Sequence, residues 1–72
     1  MLELTERRIA ARTMTDLADV YARHGSLHAA IASYERGLAA IRDFDDVDAE
    51  AYALGRLAAV RELAALQAAA RS

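Results

Sequence analysis

The groups in this sequence with chemical reach are two histidines, a run of aspartates and a cluster of arginines. His24 and His28 stand four apart, the spacing at which one helix would aim two imidazoles at a single metal ion. Gly25 and Ser26 lie between them, so the pair straddles a turn, and no third ligand is close in the chain. His24 instead suits a helix C-terminus, where it interacts favourably with the helix dipole. The stretch "DFDDVDAEAYAL", from Asp43, invites comparison with a calcium loop. Its third position is Asp45, but its fifth is Val47, its sixth is Asp48 where glycine must turn, and its twelfth is Leu54 where a bidentate glutamate belongs. The acids are read as helix caps. Arg7, Arg8 and Arg12 form a basic patch, which Glu3 and Glu6 balance as a solvated face. There is no glycine-rich phosphate loop and no Ser/His/Asp set with a scaffold to hold it. The sequence therefore predicts no catalytic residue, no metal and no cofactor: a non-enzyme.

The elements that carry these groups must come from a short chain. Its 72 residues suffice for one domain, 1–72, near the size where a single core is marginal. Small domains compensate with disulfides, metals or association. Cysteine is absent, so association is the leading expectation. Hydrophobic residues make up 56% of the chain, much of it alanine, which packs closely but buries little area per residue. No apolar run could span a membrane and the N-terminus "MLELTERRIA" is too charged for a secretory signal, so a cytoplasmic protein is expected. All nine basic residues are arginine, which fits a GC-rich bacterial genome, and the net charge of −2 gives no reason to expect nucleic acid.

An all-α fold follows from periodicity. Ala10, Met14, Leu17, Ala18 and Tyr21 form a helical stripe, with Thr5 as cap, for a helix A over about 5–24. Gly25 ends it in the left-handed conformation and Ser26 caps helix B, about 27–42. Helix B carries Leu27, Ala30, Ile31, Tyr34, Leu38 and Ile41 on one face. A link this short makes A and B antiparallel neighbours, with Ala18 and Ala30 at their crossing and Gly37 admitting a neighbour's side chain. In "RDFDDVDAE" one of Asp45, Asp46 or Asp48 caps helix C, about 47–70, and Glu50 sits in its first turn.

These residues resemble the tetratricopeptide repeat, a 34-residue helix-turn-helix unit. Met14, Leu17, Ala18 and Tyr21 stand at the places of its first helix, Gly25, Ser26 and Leu27 at its turn, and Ala30, Tyr34 and Gly37 on its second. The match runs without a gap over residues 12 to 41. Met14 stands where tryptophan is usual, and Arg42 where a proline closes the repeat. "AEAYALGR", residues 49–56, is similar to the opening of a second repeat, with Leu54 and Gly55 in its Leu-small positions, but no turn follows. The resemblance implies a hairpin plus a capping helix, and a protein-binding groove along the first helix. The groove positions are Arg12, Thr15, Asp16, Asp19, Ala22 and Arg23, whose acids would meet a basic or amide-rich segment. Thr15 and Asp19 stand where a carboxylate-clamping repeat has Lys and Asn.

Helix C carries Leu54, Leu57, Val60, Leu63 and Leu66 at every third position. Each step of three turns about 300°, so the stripe drifts backwards by about 60° a step and wraps about two-thirds of the helix. Scattered exposed leucines are ordinary; the alternative, adopted here, is two contact surfaces. The hairpin is expected on the side of Leu54, Leu57 and Ala58. A second copy is expected on Val60, Leu63, Leu66, Ala59 and Ala70, with Ala69 beside them. The function expected is a small protein-interaction module or assembly adaptor, homodimeric through helix C, whose partner is a protein or peptide. A bacterial secretion-type chaperone subunit and a nucleic-acid binder using the helix A arginines are the alternatives. A stretch of a longer repeat array would read the same way.

Overall fold

The computed structural model describes residues 3–71, with side chains from Thr5 to Arg71. Among them are three α-helices, α1 (Glu3–Arg23), α2 (Leu27–Ile41) and α3 (Val47–Arg71), with one 3-10 turn, Arg42–Phe44, after α2. No strand occurs among the described residues. Thr5 lies inside α1 and so is not its cap.

The turn into α2 is built from backbone alone. Gly25 adopts φ +79°, which glycine reaches without a Cβ penalty. Its N–H donates to the Ala22 carbonyl at 3.1 Å, and the Ser26 N–H donates to the Tyr21 carbonyl at 2.9 Å. These two bonds are the Schellman pair that satisfies the last carbonyls of α1. Ser26 occupies the N-cap place but its side chain makes no capping bond, contrary to expectation. With ψ at 70° it lies outside the extended region from which a cap hydroxyl reaches back. The turn into α3 works the other way. Asp45 takes the left-handed conformation (φ 53°), and Asp46 caps: its Oδ1 accepts from the Ala49 N–H at 3.1 Å. Its carbonyl accepts the first helical bond from Glu50.

Three helices make a single layer with α2 in the middle. Thr15 meets Gly37 and Asp19 meets Tyr34, so α1 and α2 are antiparallel. Glu35 meets Arg61 and Arg42 meets Glu50, so α2 and α3 are antiparallel too. Consequently α1 and α3 run the same way on either side of α2. The molecule is 51 Å long, whereas α3 spans about 37 Å and α2 about 22 Å at 1.5 Å per residue, so the outer helices are staggered.

The core joins Ala11 and Ala18 of α1, Leu27, Ala30, Tyr34, Leu38 and Ile41 of α2, and Ala53, Leu57 and Val60 of α3. Two expected stripes are rotated. On α1 the inward positions are Ala11, Thr15 and Ala18, with Ala22 partly covered, while Ala10 and Leu17 face solvent. The cause is the close approach to α2: a Cβ on Gly37 would stand 2.9 Å from Thr15 Oγ1 and 3.4 Å from the Ala11 carbonyl oxygen. Only small residues fit that seam. On α3 the inward positions are Ala53, Leu57 and Val60, spaced four and three, flanked by the partly buried Ala49 and Ala64. Leu54 and Ala58 are exposed, which corrects the side expected for the hairpin. Val60, expected at a contact between copies, is 4% exposed inside the chain's own core. Burying a Leu or Val side chain is worth about 1.5–3 kcal/mol, so Leu57 and Val60 anchor α3 to the hairpin.

Candidate partner-binding groove

Because α2 is the shared neighbour, α1 and α3 stand apart at one face of the layer and leave a groove of about 560 Å³. Ala11, Thr15, Ile41, Phe44 and Ala49 line it beneath more polar rims. One rim is α1, with Arg8, Arg12 and Asp16; the other is the start of α3, with Asp46, Asp48 and Tyr52. The 3-10 turn puts Phe44 here, with the Arg8 guanidinium 5.6 Å from its ring centre, a cation–π contact of about 0.5–1 kcal/mol at an exposed site. Arg12 lies 4.0 Å from Asp16, an exposed pair of little energetic weight that a ligand could displace. A half-apolar cleft of this volume, with charges at its edges, lies within the range of ligand-binding clefts.

At one end of the groove a polar cluster ties all three helices. Tyr34, whose ring is fully buried, donates its hydroxyl hydrogen to Asp19 Oδ1. Tyr52 donates to Asp19 Oδ2 at 2.8 Å. Arg56 Nε lies 3.5 Å from Oδ1 and donates to the Tyr34 hydroxyl at 3.4 Å. Burial by itself would raise the Asp19 carboxyl, but the two hydroxyls and the guanidinium outweigh it and hold the group below the usual carboxylate range. Burial and the facing carboxylate push the Tyr34 phenol up, and the bond to Asp19 does the same to Tyr52.

The expected groove residues therefore separate. Arg12 and Asp16 stand on its rim and are exposed. Thr15 reaches only its floor: it is 7% exposed, and its hydroxyl donates to the Ala11 carbonyl at 3.1 Å. Asp19 is spent on the cluster, which removes it as a free acid for a partner. Ala22 packs against the core, and Arg23 is exposed beyond the groove, its Nε 3.5 Å from the Asp19 carbonyl. Reading the sequence missed Arg8, Phe44, Asp46, Asp48 and Tyr52 as groove residues, and Tyr52 and Arg56 as partners of Asp19. Tyr52 and Arg56 share a helix face, but nothing along the chain gives their register against α1.

Other chemistry finds little here. His24 donates from Nδ1 to the Val20 carbonyl at 2.8 Å, a bond that ties the ring to the end of α1. Among the described residues no group of three or more His, Asp or Glu could hold a metal ion. The side chain of Glu3, expected to balance the arginines, lies outside the described residues, and no described helix is long and apolar enough to cross a membrane. No family model, curated protein or solved structure matches this chain.

Proposed function

We propose that the chain is a non-enzymatic protein-interaction module, a repeat-like hairpin whose third helix completes a groove for a segment of another protein. The observation that carries this reading is the groove itself, a partly apolar floor between two charged rims formed by parallel helices on either side of α2. The tetratricopeptide resemblance supports it: the small residues of the match, Ala18, Ala30 and Gly37, are buried, and Gly25 makes the turn. The groove's free edges are acidic. Arg8 is engaged with Phe44, Arg12 with Asp16 and one oxygen of Asp46 with the start of α3, which leaves Asp48 as the free acid on the opposite rim. The segment that suits it carries one apolar side chain for the floor and a basic residue for the α3 rim. The same acids oppose a phosphate backbone, which disfavours nucleic acid.

The test is a titration of the labelled chain with short peptides holding Leu or Phe beside Arg or Lys, followed by amide chemical shifts. Shifts should concentrate at Ala11, Ile41, Phe44, Ala49 and Tyr52. Asp16→Lys with Asp48→Lys should weaken binding at least tenfold. Since Asp48 lies in the first turn of α3, Asp16→Asn with Asp48→Asn is the paired variant that keeps helicity while still losing both charges. Peptides that move none of these amides, or that bind the double variants equally, would remove the groove as the site.

A further inference from the structure

Beyond Arg56, α3 carries a second apolar face that the hairpin leaves bare. Ala59, Leu63, Leu66 and Ala70 are spaced four, three and four, and at about 100° per residue each lies within about 30° of one direction. That direction is about 120° round the helix from the face formed by Ala53, Leu57 and Val60. All four residues are exposed, Leu63 by 46% and Leu66 by 61%. Upstream, the same side of α3 is already a helix-packing surface, because Tyr52 and Arg56 use it to reach Asp19 of α1. Past Arg23, α1 has ended and the surface continues uncovered.

From this we infer that the uncovered half is filled by the same half of a second copy, packed antiparallel about a twofold axis. The order Ala-Leu-Leu-Ala at steps of four, three and four reads identically in both directions. A twofold axis midway between residues 64 and 65 therefore sets Leu63 against Leu66 of the second copy, and Ala59 against Ala70. That is the alternation of an antiparallel coiled-coil seam, with small residues at both ends permitting close approach. A twofold contact demands such self-complementarity, since residue i must meet j while j meets i. The opposite flank, Val47–Ala51–Leu54–Ala58, reads differently in its two directions and lacks this property.

The chain exposes 5163 Å², whereas a compact monomer of 7.8 kDa exposes about 4,400 Å², and the stretch of α3 that runs past the end of α1 contributes to that excess. The inference rests only on the self-associating part of the interaction-module reading. None of the four residues lines the groove.

Light scattering on the purified chain at 50 μM should give twice the 7.8 kDa of one chain. Leu63→Glu with Leu66→Glu should halve that mass while the far-ultraviolet dichroism stays helical, because both side chains lie outside the core. Orientation is read by cross-linking, since the chain has no cysteine of its own. In an equal mixture of Ala59→Cys and Ala70→Cys chains, the mixed disulfide should exceed both like-with-like products by well over the twofold that chance gives. A wild-type chain that is monomeric at 50 μM overturns the second copy, as does a double variant that remains dimeric. Predominance of like-with-like disulfides overturns the antiparallel register. Each result leaves the peptide titration of the groove unaffected, so the two readings fail separately.

Discussion

The two seams of α2 are made of different materials. Toward α1 the contact is small residues brought very close, with Ala11 and Thr15 against Gly37, and with Ala18 and Ala30 both fully buried. Toward α3 it is a few larger anchors, Leu57 and Val60, supplemented by polar links: Arg56 to Tyr34 and Arg61 to Glu35 on α2, the latter 2.6 Å apart, and Tyr52 and Arg56 past α2 to Asp19 of α1. A seam of small residues draws its stability from the fit of many contacts at one separation, so it tolerates little change of volume. A seam of anchors and hydrogen bonds can lose one link and keep its geometry. The difference teaches that α1–α2 is the rigid unit and α3 the helix whose attachment can be varied.

The largest effect should come from breaking the close seam. Ala30 is fully buried, about two turns before Gly37 on the same helix, and Ala30→Leu adds volume at a site with no exposed surface. The expected loss is about 1–3 kcal/mol, a large share of what a 72-residue chain holds at about 0.05–0.15 kcal/mol per residue. Urea unfolding measures it. An Ala30→Leu chain as stable as the wild type would mean that the seam has room, and the contrast between the two sides of α2 would collapse.

The second seam should give a smaller and more local response. Tyr52→Phe removes one of the two hydroxyls on Asp19 but leaves the ring and the Leu57 and Val60 anchors. A loss of about 0.5–1.5 kcal/mol is expected. Hydrogen exchange should quicken in α3 while α1 and α2 keep their protection. Equal quickening in all three helices would show that α3 is no separate unit. The cluster also predicts pH dependence. Asp19 is held below its unfolded value of 3.8, so its contribution is present above that pH and is lost as pH falls through the lowered value. Tyr34 and Tyr52 are raised above 10.0, so their contribution is complete below pH 10 and is lost as pH rises beyond it. Thermal unfolding between pH 7 and 2 should fall less steeply for Tyr52→Phe than for the wild type.

The same contrast explains what could be read from the sequence. The turn glycine, the aspartate cap and the buried face of α2 are local features, set by residues a few positions apart: Gly25 and Leu27–Ile41 can be read directly, and the cap is narrowed to Asp45, Asp46 or Asp48, of which the structure selects Asp46. The inward faces of α1 and α3 were not local. Leu17 looks like core and Thr15 like surface until Gly37 is known to press against Thr15, which reverses them. The groove is less legible still, because it joins Arg8 and Asp16 to Asp48 and Tyr52 through the staggering of two helices that share only a neighbour. No spacing along the chain encodes that register. Asp19 shows the cost: its place on the helix suggested a free acid, but side chains 15 and 33 residues away claim both its oxygens.

The smallest expected effect lies in the turns that lead into the two seams. Both α2 and α3 begin with a residue of a type that favours N-caps, Ser26 and Asp46, and sequence alone gives no reason to rank them. In the structure only Asp46 caps, through its bond from the Ala49 N–H. The α1–α2 turn instead holds its shape through Gly25 and two backbone bonds that would survive any change at the Ser26 side chain. Asp46→Ala should therefore cost about 0.5–2 kcal/mol, the usual loss of a working cap. Ser26→Ala should stay within about 0.5 kcal/mol of the wild type, as exposed substitutions without partners do. Ser26→Gly would confound the comparison by loosening the unfolded chain, so alanine is the informative change at both positions. Paired urea titrations decide it: equal losses at the two sites would mean that Ser26 caps in solution, and the two turns would then differ in sequence but not in how they work.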